Sequence, residues 1–154
     1  KLWNSTNMYL LIVEPGTPAG FSQMIKTRSI LLKKGAHIVA PCPHETDCGI
    51  AHGDWCHFSC RVPRSRLHRQ LKDGDVPYED EKFTYLFLSK NVARQANARI
   101  LRHPYIGKGQ VTLDVCSHDG ISKIKLHKKD GDLYKTARKS KWGDAIHFAV
   151  LPRC

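Results

Sequence analysis

Apolar residues fall along this chain in blocks whose spacing changes from one block to the next. MYLLIVEP, Met8 to Pro15, is a continuous apolar run that predicts a buried strand of the parallel type. GTPAG then turns the chain. In FSQMIKTRSILLKKG, the residues Phe21, Met24, Ile25, Leu31 and Leu32 fall on one stripe of a helix. Ser22 is placed to cap its start, Lys33 and Lys34 suit the negative end of its dipole, and Gly35 is placed to close it. AHIVAP reads as a second buried strand. Strand, helix and strand over about thirty residues predict a βαβ unit, the building block of a parallel α/β sheet.

Further on the periodicity shortens. VPRSRLHRQLKDG predicts a short basic helix closed at Gly74, and FTYLFLS a strand within PYEDEKFTYLFLSK. GQVTLDVCS and ISKIKLHKKDG alternate as the two strands of a small sheet, with turns at GKG and at two DG pairs. LYKTARKSKWGD predicts a short helix or turn. No internal repeat or low-complexity segment interrupts the pattern, and no apolar run approaches the length of a membrane span, so no membrane partner is expected. The chain does not start with Met and enters its first strand almost at once, as a sequence that opens inside a domain would. An upstream part on a separate polypeptide is left open.

Charge changes this picture from a fold to a binding protein. The chain of 154 residues carries a formal net charge of +11. A surplus of that size calls for a polyanionic partner, most often nucleic acid. Three basic stretches carry it. The first holds Arg61, Arg64, Arg66, Arg69 and Lys72, and the second Arg94, Arg99, Arg102 and Lys108. The third holds Lys123, Lys125, Lys128, Lys129, Lys135, Arg138, Lys139 and Lys141. Guanidinium forks and ammonium groups neutralise phosphates, and His68, Tyr105, Tyr134 and Trp142 are candidates to stack on unpaired bases. The competing reading is a solvated basic face with the aromatics in the core.

The cysteines add chemistry. Cys42, Cys48, Cys56 and Cys60 have the form C-x5-C-x7-C-x3-C, and Cys116 follows about sixty residues later. Disulfides are disfavoured in a chain of this size without a visible secretory signal. Thiolates select zinc or iron–sulfur clusters, and structural zinc favours tighter knuckles than these. The spacing therefore predicts a metal held by a loop and closed by a distant ligand, without naming the metal. His44, His52 and His57 are further zinc-ligand candidates; Cys60 reads as a bystander or an alternate ligand, and Cys154 as uninvolved. The alternative is small buried thiols.

LIVEPGTPAGF, GAHIVAPCPHETDC, DWCHFSCRVPRSRLHRQLK, PYEDEKFTYLFLSK and YKTARKSKWGD together resemble the mitochondrial small-ribosomal-subunit methyltransferase-like family over nearly the whole chain. The resemblance implies an α/β chain that is the C-terminal half of a class I methyltransferase-like (Rossmann-like) sheet, with an iron–sulfur loop and a small β-rich basic C-terminal extension. It implies a [4Fe–4S] cluster on Cys42, Cys48, Cys56 and Cys116, with zinc as the alternative. It divides the chain into a βαβ part at 1–40, a cluster loop and basic helix at 41–72, and the remaining strands with a basic RNA-binding region at 73–154. It implies a place in the mitochondrial matrix, with small-subunit ribosomal RNA and neighbouring ribosomal proteins as partners. In the family, S-adenosylmethionine sits on a glycine-rich loop after a strand. EPGTPAG lacks the G-x-G spacing, so this chain alone is not expected to form that pocket. No catalytic or cofactor-pocket residue is assigned, and the balance is against an enzyme. The expected function is a non-catalytic rRNA-binding component or assembly factor of the mitochondrial small ribosomal subunit. The alternative is an S-adenosylmethionine-dependent rRNA methyltransferase completed by a second chain. A zinc-stabilised RNA-binding module outside the ribosome is a third reading.

Overall fold

The computed structural model describes residues 1–71 and 76–146, which form two antiparallel sheets with helices packed on them. After a single helical turn, α1 (Leu2–Ser5), the first sheet is built on one long strand. The strands β1 (Tyr9–Pro15), β2 (His37–Ala40) and β3 (Phe58–Pro63) all pair antiparallel with β4 (Tyr78–Ser89). Because β1 and β2 are each antiparallel to β4, they run the same way, as a βαβ unit requires. They do not pair with each other, and the expected parallel ladder is replaced by β4 lying between them. The reason lies in β4. It is apolar on both faces, with Phe83, Tyr85 and Phe87 on one and Leu86 and Leu88 on the other, which suits the central position.

The connecting helix α2 (Pro18–Leu32) starts earlier than Ser22. Its cap is Thr17, whose side-chain oxygen accepts from the Gly20 amide at 3.1 Å. Pro18 follows at the first helical position, where a missing N–H costs nothing and φ is already helical. A Cβ on Gly20 would run into the Pro15 carbonyl, so glycine there lets the helix start close against β1. Met24 and Leu31 pack with Trp3, Ile38, Leu86 and Leu88. Gly35 closes the helix with φ of +75°, as expected. The strand β1 departs from the reading of a fully buried run. Leu10 and Ile12 face this core, while Tyr9, Leu11 and Val13 are more than half exposed on the other side. A continuous apolar run reads as buried on both faces, but among the described residues only one face of β1 is covered.

The basic helix α3 (Arg66–Leu71) lies between the first three strands and β4 in sequence. Its expected stop at Gly74 lies outside the described residues. The second sheet uses β5 (Ala98–Ile100), β6 (Tyr105–Gly107), β7 (Gln110–Ser117), β8 (Gly120–His127) and β9 (Ala145–Ile146). The pairing of β7 with β8 is the one expected from alternation and runs their full length. β5 and β6 share the other edge of β7. One face of this sheet carries Val111, Leu113, Val115, Ile124 and Leu126 against Tyr134 and Ala137 of α4 (Asp132–Lys139). Fully burying side chains of this kind contributes about 1.5–3 kcal/mol each. Alternation sends the intervening residues to the opposite face. There Cys116 stands between its cross-strand partners Arg99 and Ile121, with Asp114 opposite Lys123 and Thr112 opposite Lys125.

Candidate metal centre

The chain from Cys42 to Cys56 has no regular secondary structure, so other contacts hold it. The guanidinium of Arg28, on α2, donates to the His44 carbonyl at 3.0 Å and the Thr46 carbonyl at 2.7 Å. The Ile38 amide donates to Glu45 Oε1 at 2.9 Å. The Trp55 indole N–H donates to the Gly16 carbonyl at 2.9 Å, and Arg102 reaches Asp54 at 2.6 Å. These contacts clip the loop to α2 and the first sheet and, through Arg102, to the second sheet.

A cavity opens where the two sheets meet. Cys42, Cys48 and Cys56 of the loop line it together with Cys116 of β7. The four thiols that sequence spacing and resemblance single out are thus brought to one place. Cys60 is exposed on β3 and does not join them, in keeping with a bystander. Cys154 and Lys72 lie outside the described residues. Among the described residues, no three His, Cys, Asp or Glu side chains gather closely enough to grip a single ion.

Burial controls the thiols. It pushes Cys42 and Cys56 up from the ordinary thiol range. For Cys56 the charges of Cys42, Cys48 and Cys116 add to the shift. Cys116 is pushed up to about 12, by burial first and then by Cys42 and Cys48. Burial and the neighbouring sulfurs therefore both favour the protonated form of Cys42, Cys56 and Cys116. The opposing influence on Cys42 and Cys116 is Arg28. His44 is buried beside them. Its Nε2 lies 3.4 Å from Cys116 Sγ and its Nδ1 is 2.8 Å from Thr46 Oγ1, while burial and Arg28 hold its pKa down. His52 is exposed on the loop; His57 is buried, stacked on Trp55 and edge-on to Trp142.

Two residues of this site escape a reading by motif. Arg28 lies four residues after Met24 and three before Leu31, so it sits inside the apolar stripe of α2, and it is only 4% exposed. That position was the available signal, since a cation on a buried stripe needs a local reason. Arg99 reads as part of a basic surface stretch. Instead its Nε donates to the Pro41 carbonyl and its Nη1 to the Gly143 carbonyl, both at 3.0 Å, and it lines the cavity.

The basic stretches divide in three dimensions. Arg61 makes a two-pronged pair with Asp80 at 2.7 and 2.9 Å and lies over the Tyr78 ring. Arg64 pairs with Glu79 at 3.0 Å. Both expected phosphate contacts thus already have carboxylates across the β3–β4 ladder. Arg66 is exposed on α3 and Arg69 half-buried. Lys123 and Lys125 project from the face of the second sheet that also carries Cys116, with Lys123 Nζ 3.6 Å from Asp114 Oδ1. Lys128 and Lys129 are exposed in the turn at Lys128–Asp130. Arg138 and Lys139 project from the far side of α4, and Lys141 is exposed just beyond it. Tyr134 is a core residue and not a stacking one; Tyr105 is exposed.

Fold and site define a class: a basic α/β protein whose two sheets meet at a four-thiol cavity. Residues 1–147 match the sequence profile of the family described as mitochondrial small ribosomal subunit Rsm22. The chain belongs to that family. It is 30% identical over 185 aligned residues to the Rsm22-cox11 tandem protein 2, mitochondrial, of the fission yeast Schizosaccharomyces pombe, covering 88% of this chain and 24% of that protein. It is 28% identical over 159 residues to the human ribosome assembly protein METTL17, mitochondrial, covering 94% of this chain and 34% of that protein. The chain thus spans between a quarter and a third of the length of these relatives.

Proposed function

We propose that this chain is a non-catalytic, rRNA-binding part of a mitochondrial small-subunit ribosomal or assembly protein, acting in the matrix. The observation that carries the reading is the exposed part of the second sheet's outer face, beyond the strand end that meets the cysteine loop. Lys123 and Lys125 project from it in register, beside exposed Tyr105, with no helix packed over them among the described residues. A flat basic sheet face with an exposed ring suits RNA phosphates and unpaired bases. Membership of a mitochondrial small-subunit family supports the same partner.

The four thiols fit a metal centre. They converge from two distant parts of the chain on one cavity walled by Phe21, Met24 and Ile25 as well as by arginines. Tetrahedral zinc would need its sulfurs about 3.8 Å apart, given Zn–S bonds of about 2.3 Å. The wide, irregular spacing of the thiols along the chain, unlike the tight knuckles of structural zinc, favours a [4Fe–4S] cluster held by Cys42, Cys48, Cys56 and Cys116. Thiolate ligation would lock the irregular loop to β7. Metal binding of this kind is folding free energy, so the centre acts as a pin between the sheets. The completed fold is a methyltransferase-like sheet to which this chain brings the C-terminal strands. The bare outer face of β1, with Tyr9, Leu11 and Val13, fits cover from the remainder of that fold, whichever polypeptide carries it. No feature of the cavity favours a methyl-transfer reaction.

The test joins both halves. Anaerobically purified protein is assayed for iron and acid-labile sulfide and titrated with small-subunit rRNA fragments at several salt concentrations. About four irons and four sulfides per chain, and a steep fall of affinity with salt, are expected. Stoichiometric zinc without sulfide would replace the cluster, and salt-independent or absent RNA binding would overturn the RNA reading.

A further inference from the structure

The cavity is lined by two guanidiniums that have no carboxylate beside them among the described residues. Arg28 is buried, and its Nε has no hydrogen-bond partner among the described residues. Its other bonds go to neutral carbonyls at His44 and Thr46. Among the described residues, half-buried Arg99 bonds the carbonyls of Pro41 and Gly143. Neither forms an ion pair with a described carboxylate, although both line the cavity. Arg102 makes the contrast: it also approaches Cys56, but Asp54 balances it at 2.6 Å. A guanidinium withdrawn from water without an anion is strongly unfavourable. One buried and one half-buried guanidinium on one cavity, neither beside a described carboxylate, fit a cavity built for an anionic occupant.

We infer that Arg28 and Arg99 are the counter-cations of the four-thiolate centre, and that Arg28 also positions the loop ligands. This rests on the metal-centre reading above. Four thiolates around a doubly charged core leave about two negative charges, which two guanidiniums balance. The two arginines approach from different sides. Arg28 comes from α2 and fastens His44 and Thr46, which lie between the ligands Cys42 and Cys48. Arg99 is the cross-strand neighbour of Cys116, on the same face of the second sheet. Removing either charge leaves the centre more negative. Its reduction then becomes harder and its metal easier to lose.

The experiment uses the whole chain, purified anaerobically, as wild type, Arg28→Gln, Arg28→Lys and Arg99→Gln. Iron and sulfide content, the half-life of the visible absorbance in excess chelator, and the midpoint potential are measured on each. Expected results are a half-life at least tenfold shorter in Arg28→Gln and several-fold shorter in Arg99→Gln, with lower potentials in both. Arg28→Lys keeps the charge but not the two-carbonyl fork, so it should hold a near-wild-type potential with a shortened half-life. If Arg28→Gln does not fold, Arg99→Gln and Arg28→Lys decide. Loaded variants with half-lives within twofold of wild type and unchanged potentials would overturn this inference while leaving the cluster in place. A wild-type protein without iron, sulfide or zinc would overturn the metal-centre reading, and the inference with it.

Discussion

The four thiols come from two regions that are built differently. Cys116 sits inside a ladder, with β8 on one side and β5 on the other, and its neighbours Val115 and Ser117 are buried. Its position follows from the hydrogen bonds and core of the second sheet. Cys42, Cys48 and Cys56 sit in irregular chain fastened at a few points by Arg28, Glu45, Trp55 and Asp54. Between Cys48 and Gly53 none of the contacts that fasten the loop is made. One half of the site is thus set by a strand ladder, while the other half is fastened at a few points. A metal bound across both would transfer the order of the strand to the loop.

The largest break in that comparison should come from the strand side. Cys116→Ser is expected to reduce bound iron and sulfide to near zero and to abolish amide-exchange protection in residues 41–57. The protection of β7 and β8 should persist. Hydrogen exchange with mass spectrometry reads both, and loss of the β7–β8 ladder as well would show that the second sheet needs the metal for its own stability. Next in size is Leu113→Ala. Leu113 is fully buried in the core under Cys116, and the truncation should destabilise the second sheet by about 2–5 kcal/mol, read by denaturant unfolding. The loop should then lose its metal only as the sheet unfolds.

A smaller effect separates the two faces of the third basic stretch. The double change Lys123→Ala with Lys125→Ala should make the logarithmic salt dependence of RNA binding shallower by about 1.4 for a single-stranded site. The pair Arg138→Ala with Lys139→Ala, on the opposite side of the layer, should change it less. Equal slopes for the two pairs would mean that the sheet face is not the preferred contact. The smallest effect is expected at the fully exposed Arg61–Asp80 pair. Hydrogen bonding from Arg61 holds the Asp80 carboxyl below its ordinary range. Its contribution is therefore present above the ordinary carboxylate pKa and lost as pH falls through the lowered value. Screening by solvent keeps that contribution small, and Asp80→Asn should leave the neutral-pH melting temperature within error of wild type.

Some of this was legible in the order of residues. Alternation in GQVTLDVCS and ISKIKLHKKDG predicts the β7–β8 pair, and the apolar stripe with its closing Gly35 predicts α2. The thiol set was readable as a pattern of spacings and a resemblance. The insertion of β4 between β1 and β2 was not readable, because pairing partners are chosen by long-range packing and leave no local periodicity. The paired state of Arg61 and Arg64 was hidden for a similar reason. Asp80 and Glu79 lie 19 and 15 residues from Arg61 and Arg64 and meet them only where β3 pairs with β4.

By itself, the sequence determined which segments can be helix or strand, the large positive charge and the presence of enough thiols for a metal. These follow from side-chain periodicity and residue chemistry, which are local properties. Only the tertiary structure decided that three loop cysteines and one strand cysteine share a cavity, that Arg28 and Arg99 point into it, and that one run of lysines serves two opposite faces. Those outcomes depend on sheet register, in which a shift of one residue would send Cys116 and its arginine neighbour to the other side.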